Sequence, residues 1–250
     1  MTPYTARGCA TSPRRPRGSS RLPALTIVCF GDSVTLGVPH VPKADAFPAV
    51  LERRLNARLG SGRRCRVLNA GVGGENCAEG LVRIERDVLA HAPQIVVVEF
   101  GLNDVRYEPD KGLPVPQFAA NLRTIAEQVR AVGSAVVFTT PNPVINSLHP
   151  YSLGVSYYDR WGGCNQALEE YAEAVRDVCS QAHAPCCDVH AAFVAKAIAA
   201  EFRGEVADYR DLVALTPYIS REDGVHPTAR GHYLIAQELY RVLRDLLPAA

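Results

Sequence analysis

Four separated stretches of this 250-residue chain carry side chains suited to chemistry. The first is Gly31-Asp32-Ser33-Val34-Thr35-Leu36-Gly37, which follows an apolar run directly and puts a serine hydroxyl where a strand ends. A hydroxyl there suits a nucleophile, provided a base can take its proton. The same glycines also suit an ordinary strand-to-helix turn, with Ser33 capping a helix or cradling a phosphate or flavin. The second stretch, Asn69-Ala70-Gly71-Val72-Gly73-Gly74-Glu75-Asn76, is glycine-rich and leads into a helix, so its backbone N–H groups could face a developing negative oxygen. On its own it reads equally as a tight turn. It is not the G-x-G-x-x-G dinucleotide pattern placed after a first strand.

The third stretch, Glu99-Phe100-Gly101-Leu102-Asn103-Asp104, offers an uncharged amide donor in Asn103. Capping the next segment is its plain alternative, and Asp104 reads as structural. The fourth is Asp223-Gly224-Val225-His226-Pro227-Thr228. Its spacing lets Asp223 accept a hydrogen bond from one imidazole nitrogen of His226 and turn the other towards a nucleophile. A helix cap beside a surface histidine, or half a metal site, would use the same residues. Further ligands at metal spacing are missing nearby, so no metal is expected. The histidines at 40, 91, 149, 183, 190 and 232 lack this arrangement, with His190 beside Asp188 the nearest competitor. Hydroxyl, base, orienting acid and oxyanion donors together are the parts of acyl transfer through a covalent intermediate.

Elements must bring these four stretches together. Leu25–Phe30, Cys65–Asn69, Ile95–Phe100, Ala135–Thr140 and Pro185–Val189 read as strands buried on both faces. Between them Phe47/Val50/Leu51/Leu55/Leu59, Leu81/Ile84/Val88/Leu89, Phe118/Leu122/Ile125/Val129/Val132 and Leu168/Tyr171/Val175/Val178 fall on helical spacing. A last helix, through Leu234/Ile235/Leu239/Val242/Leu243/Leu246, begins after Pro227, a residue favoured in a first turn. Five β-α alternations predict an α/β fold with a parallel sheet covered by helices on both faces, its strand carboxyl ends on one ligand-binding edge. Residues 142–163, polar and rich in Pro, Gly and Tyr, make a long candidate substrate-facing loop. Tyr151, Tyr157, Tyr158 and Trp161 stand there as an aromatic wall or as the loop's own small core.

Charge and composition set the bounds. Residues 1–24 hold five arginines and no acid and read as a disordered tail, leaving 22 basic against 26 acidic groups in a domain over 25–250. A body of that balance lacks the basic field that holds nucleic acid. No run is long enough for a membrane span or a signal-peptide core, and the expected location is cytoplasmic. Eight cysteines are too sparse for a disulfide scaffold and fit free thiols in a reducing compartment.

Taken together, GDSVTLG, NAGVGGEN, GLND and DGVHP, in that order between Thr26 and Leu247, resemble the SGNH (GDSL-type) hydrolases, a family of esterases and lipases. The resemblance implies a three-layer α/β/α sandwich, flavodoxin-like, with about five parallel strands. It implies Ser33 as nucleophile, His226 as base and Asp223 as its orienting acid, with an oxyanion hole of the Ser33 and Gly74 N–H groups and the Asn103 side chain. No cofactor is implied. Asn76 stands where some relatives have Thr or Ser. The G-x-S-x-G of α/β-hydrolases is missing. The implied partner is a small-molecule ester, of a short acyl group, a lipid or an acetylated sugar, with a short acyl group expected. Transfer to another acceptor, thioester hydrolysis, and a non-hydrolytic flavin or phosphate binder remain as alternatives.

Overall fold

The computed structural model describes residues 24–60, 64–108, 110–150, 156–201 and 212–247. The expected tail up to residue 23 lies outside them, as does Tyr151. Five parallel strands, β1 (Leu25–Gly31), β2 (Cys65–Gly71), β3 (Ile95–Glu99), β4 (Ala135–Thr139) and β5 (Cys186–Cys187), lie in the order β2-β1-β3-β4-β5. The helices are α1 (Ser33–Leu36), α2 (Phe47–Leu59), α3 (Cys77–Asp87), α4 (Val115–Ala131), α5 (Cys164–Gln181), α6 (Val189–Glu201) and α7 (Ala229–Leu243). α2 and α7 pack together, with α6 against α7, while α3, α4 and α5 form a second layer, so the sheet is the middle of three. The expected fold class is the one observed.

Apolar burial explains the order. β1 and β3, flanked by neighbours in the centre, are buried almost throughout, and Phe30, Phe100, Phe118 and Phe138 fill the core around them. β2 departs from the expectation of two buried faces: it is an edge strand, and only Cys65 in it is buried. β5 shrinks from the expected Pro185–Val189 to two residues, because Asp188 turns the chain and its carboxylate accepts the Ala191 N–H at 3.0 Å, starting α6. That helix was not expected, since VHAAFVAKAIAA is apolar in nearly every direction and hides a helical period. Pro227 is not in the first turn of α7. It pairs with Ile219 in an isolated antiparallel bridge, and Thr228 caps the helix.

Register sets the site. Gly31 is level with Gly71 on one side and Glu99 on the other, so the first three strands end at one height. β1 then turns at once into α1. A Cβ on Gly31 would lie 2.3 Å from the Glu99 carbonyl, and one on Gly71 would lie 2.2 Å from the Leu36 nitrogen. These two glycines let the turn sit directly on its neighbours. The seven cysteines among the described residues are free thiols. No helix there is long and apolar enough to cross a membrane.

Candidate active site

Ser33 is the first residue of α1, half-buried, with Asp32 capping the helix by accepting the Val34 N–H at 2.8 Å. Its own N–H makes no hydrogen bond among the described residues. The loop after β2 passes close by: a Cβ on Gly73 would come 3.9 Å from Ser33 Cβ, and Gly74 has φ +79°, a conformation that favours glycine. Asn76 then caps α3 in a capping box with Glu79, accepting its N–H at 2.9 Å. Ser, Thr and Asn all fill that role, which accounts for the residue found there.

From the loop after β3, Asn103 Nδ2 donates to the Glu75 carbonyl at 3.0 Å and to Asp32 Oδ2 at 3.2 Å. Asp104 is buried and accepts the Cys77 N–H at 3.0 Å, the structural role expected of it. Burial pushes its carboxyl up to about 6. Beneath the serine turn, Asp32 and Glu99 are buried together, and Thr35 Oγ1 donates to Glu99 Oε2 at 2.8 Å. Burial, and for Asp32 the neighbouring Glu99, pushes both carboxyls above their ordinary range. Each disfavours the charged form of the other in so dry a place.

The fourth stretch arrives from the segment before α7. Asp223 Oδ1 accepts the Val225 and His226 N–H groups at 2.9 and 3.1 Å, folding the turn on itself. Asp223 Oδ2 lies 2.6 Å from His226 Nδ1, and His226 Nε2 lies 2.9 Å from Ser33 Oγ. A carboxylate only accepts, so Nδ1 carries the proton and Nε2 presents its lone pair to the serine. Burial alone would raise Asp223, but hydrogen bonds from His226, the Val225 N–H and His40 hold it well below the carboxylate range. The turn is fastened by the loop after β4, where Ile145 N–H donates to the Gly224 carbonyl at 2.7 Å and Asn142 Nδ2 to the Val225 carbonyl at 3.1 Å.

All five expected residues, Ser33, Gly74, Asn103, Asp223 and His226, therefore come to one edge. His190 does not: it meets Glu169 at 2.9 Å, and Asp188 pairs with Arg176. Two residues went unrecognised in the sequence. His40 Nε2 lies 2.6 Å from the same Asp223 Oδ2, which corrects its dismissal as a histidine without an acid. Its partner is 183 residues away, so no local spacing reveals it. Arg83, buried on α3, donates to the carbonyls of Gly31 (3.0 Å) and Ala70 (2.8 Å) and to Glu75 (2.5 Å), tying the ends of β1 and β2 to the glycine loop. A lone arginine on an apolar helix face is the signal it left.

His40, Asp223 and His226 present three ligand atoms within 4.8 Å of one another. Their 2.6 Å contacts are hydrogen-bond lengths, however, shorter than the roughly 3.3 Å between two donors on one tetrahedral zinc. The aromatic loop is its own small core. Tyr157 packs on Tyr158 and Trp161, Tyr158 is buried, and the Arg160 guanidinium lies 3.6 Å from the Trp161 ring centre. Tyr157 and Trp161 also line a cleft of about 710 Å³ with Arg106, Tyr107 and Tyr171.

Comparison with known proteins places this geometry in a family. The family model for GDSL-like lipases and acylhydrolases matches residues 29–234. An acetylxylan esterase of Geobacillus stearothermophilus is 24% identical over 183 residues, 70% of this chain and 71% of that one. Esterase TesA of Pseudomonas aeruginosa is 31% identical over 114 residues, 46% of this chain and 53% of its own length. A lipase/acylhydrolase structure from Enterococcus faecalis shares the fold, with a TM-score of 0.71 at 22% identity over 90% of this chain and 98% of that one.

Proposed function

From the premise that this chain belongs to the GDSL-like lipase and acylhydrolase family and is a carboxylic ester hydrolase of that type, we propose that Ser33, His226 and Asp223 carry out the hydrolysis through an acyl-enzyme. The observation that carries it is the unbroken chain Ser33 Oγ to His226 Nε2 at 2.9 Å and His226 Nδ1 to Asp223 Oδ2 at 2.6 Å. Ser33 Oγ attacks the ester carbonyl as His226 Nε2 takes its proton, and Asp223 stabilises the imidazolium. The carbonyl oxygen, now an anion, is received by the N–H groups of Ser33 and Gly74 and by Asn103 Nδ2, which exchanges its 3.2 Å bond to Asp32 for the charged acceptor. As the tetrahedral adduct collapses, His226 gives its proton to the leaving alcohol. Water then repeats the sequence on the acyl-serine, with His226 again as base, and frees the acid.

A short acyl group fits this site best. Ser33, Gly74 and Asn103 are all half-buried on an open edge, and a relative of this chain is named as an acetylxylan esterase. A thioester or a non-water acceptor would use the same machinery. A flavin or phosphate cradle would leave the Ser33–His226–Asp223 chain without a purpose. The test is the initial rate on p-nitrophenyl esters of increasing acyl length, with Ser33→Ala beside the wild type and a fluorophosphonate probe for labelling at Ser33. The expected result is acetate or butyrate turnover that vanishes with Ser33. Undiminished turnover in Ser33→Ala would overturn the assignment.

A further inference from the structure

Asp223 serves two imidazoles. Oδ2 is 2.6 Å from His226 Nδ1 and 2.6 Å from His40 Nε2, while Oδ1 is occupied by two backbone N–H groups. The acceptor positions of this carboxylate are filled, and half of those on the oxygen facing the base belong to His40. The two rings stand edge to face, with centroids 5.8 Å apart. His40 Nδ1 in turn lies 3.2 Å from Glu222 Oε2, on a side chain that is 81% exposed. His40 comes from the segment between α1 and α2, so it reaches Asp223 from the serine's side of the site.

We propose that His40 is a positioning residue for the reaction: it holds the Asp223 carboxylate in register with His226 and, by sharing its charge, weakens the hold of His226 on a proton, so that Nε2 stays a base at lower pH. This rests on the Ser33–His226–Asp223 reading above. The sign is the same whether the His40 ring carries one proton or two. A neutral ring donating from Nε2 draws charge from Oδ2, and a cationic ring adds direct repulsion between the two imidazoles.

Among the described residues, few charged and titratable groups surround the trio. Glu222 lies beside Asp223 on the segment before α7, and Lys43 and Asp45 follow His40 on its own segment. His149, on the loop after β4, interacts with Asp223 and His226, with Arg106 and Glu108 beyond it, and His232 on α7 interacts with His226. Burial lowers both of these histidines to about 4. Above that pH these two stay neutral and add no charge beside Asp223.

The experiment is the pH profile of kcat/KM for p-nitrophenyl acetate in the full chain, for wild type, His40→Asn, His40→Gln and Ser33→Ala. Asn is too short to reach Asp223, whereas the Gln amide nitrogen can take the place of Nε2. His40→Asn is expected to move the acid limb up by about one pH unit, with about tenfold lower rate below it. His40→Gln should recover at least half of that shift. The titration of His226, followed by NMR of nitrogen-labelled histidine, should move with the limb and reads the effect without relying on turnover. A lower plateau with an unmoved limb, or an unmoved His226 titration in His40→Asn, would overturn the proposal while leaving the Ser33 assignment intact. Retained activity in Ser33→Ala would instead overturn the reading beneath it.

Discussion

Asn103 holds a side-chain amide at the edge without net charge, and both of its N–H groups are already engaged, by Asp32 and by the Glu75 carbonyl. The bond to Glu75 holds the amide in place while the other N–H leaves Asp32 for the oxyanion, so the donor changes its partner without moving far. Asn103→Ala is expected to lower kcat by about 10²–10³-fold with KM little changed, read by steady-state kinetics on p-nitrophenyl acetate. An equal rise in KM with kcat retained would mean that Asn103 holds the ester rather than its anion. At this scale the sequence was most informative about residues whose partners lie three or four positions away. Asp223 and His226 announce each other through a turn, whereas His40 meets Asp223 only after the chain has folded.

Strand ends make the site possible, and glycines make the strand ends possible. Gly71 meets the backbone of Asp32 and Leu36, so a methyl group there has nowhere to go and the serine turn itself must shift. Gly71→Ala is expected to cost about 3 kcal/mol in urea denaturation and to impair turnover as well. Gly60→Ala is the control: no described atom would lie within 4 Å of the new Cβ, so it loses only for its backbone conformation, φ +63° and ψ −155°, about 1–3 kcal/mol, with turnover unaffected. Strand and helix positions were legible wherever one face is buried, as in α4 and α5, whose apolar residues recur at helical spacing. They were illegible where that contrast fails. α6 is apolar nearly all round, and β5 is cut to two residues by a cap formed from its own neighbour, Asp188. The apolar run of β2 suits a central strand as well as an edge one, because edge position depends on strand order, which local composition does not encode.

Across the whole molecule, α2 and α7 are joined by a buried contact that titrates. The Phe47 N–H donates to His232 Nδ1 at 3.3 Å, so that nitrogen must be unprotonated, and burial lowers the imidazole to about 4. The folded state thus binds fewer protons than the unfolded chain between about pH 6.5 and 4. Stability from this group is complete above that window and is lost as pH falls through it, by up to roughly 3 kcal/mol. Asp104 works in the opposite sense: raised to about 6, it makes the folded state bind more protons between its unfolded value of 3.8 and 6. The difference between two proteins therefore reads His232 more clearly than either curve alone. His232→Asn, which keeps an acceptor for Phe47, is expected to lose less stability than wild type from pH 6.5 to 4 in urea titrations. Parallel curves would mean that His232 is not buried in its neutral form.

The base and its acid are carried by a turn that belongs to no strand of the sheet. It is fastened by Asn142 and Ile145 of another irregular segment and by the single bridge from Ile219 to Pro227. The nucleophile, by contrast, sits at the end of a central strand. Irregular segments held by a few hydrogen bonds open at lower free energy than the sheet behind them. Opening of that one short turn would part His226 from Ser33 with the serine's platform still in place, so silencing the enzyme takes less than unfolding it and reverses when the turn closes.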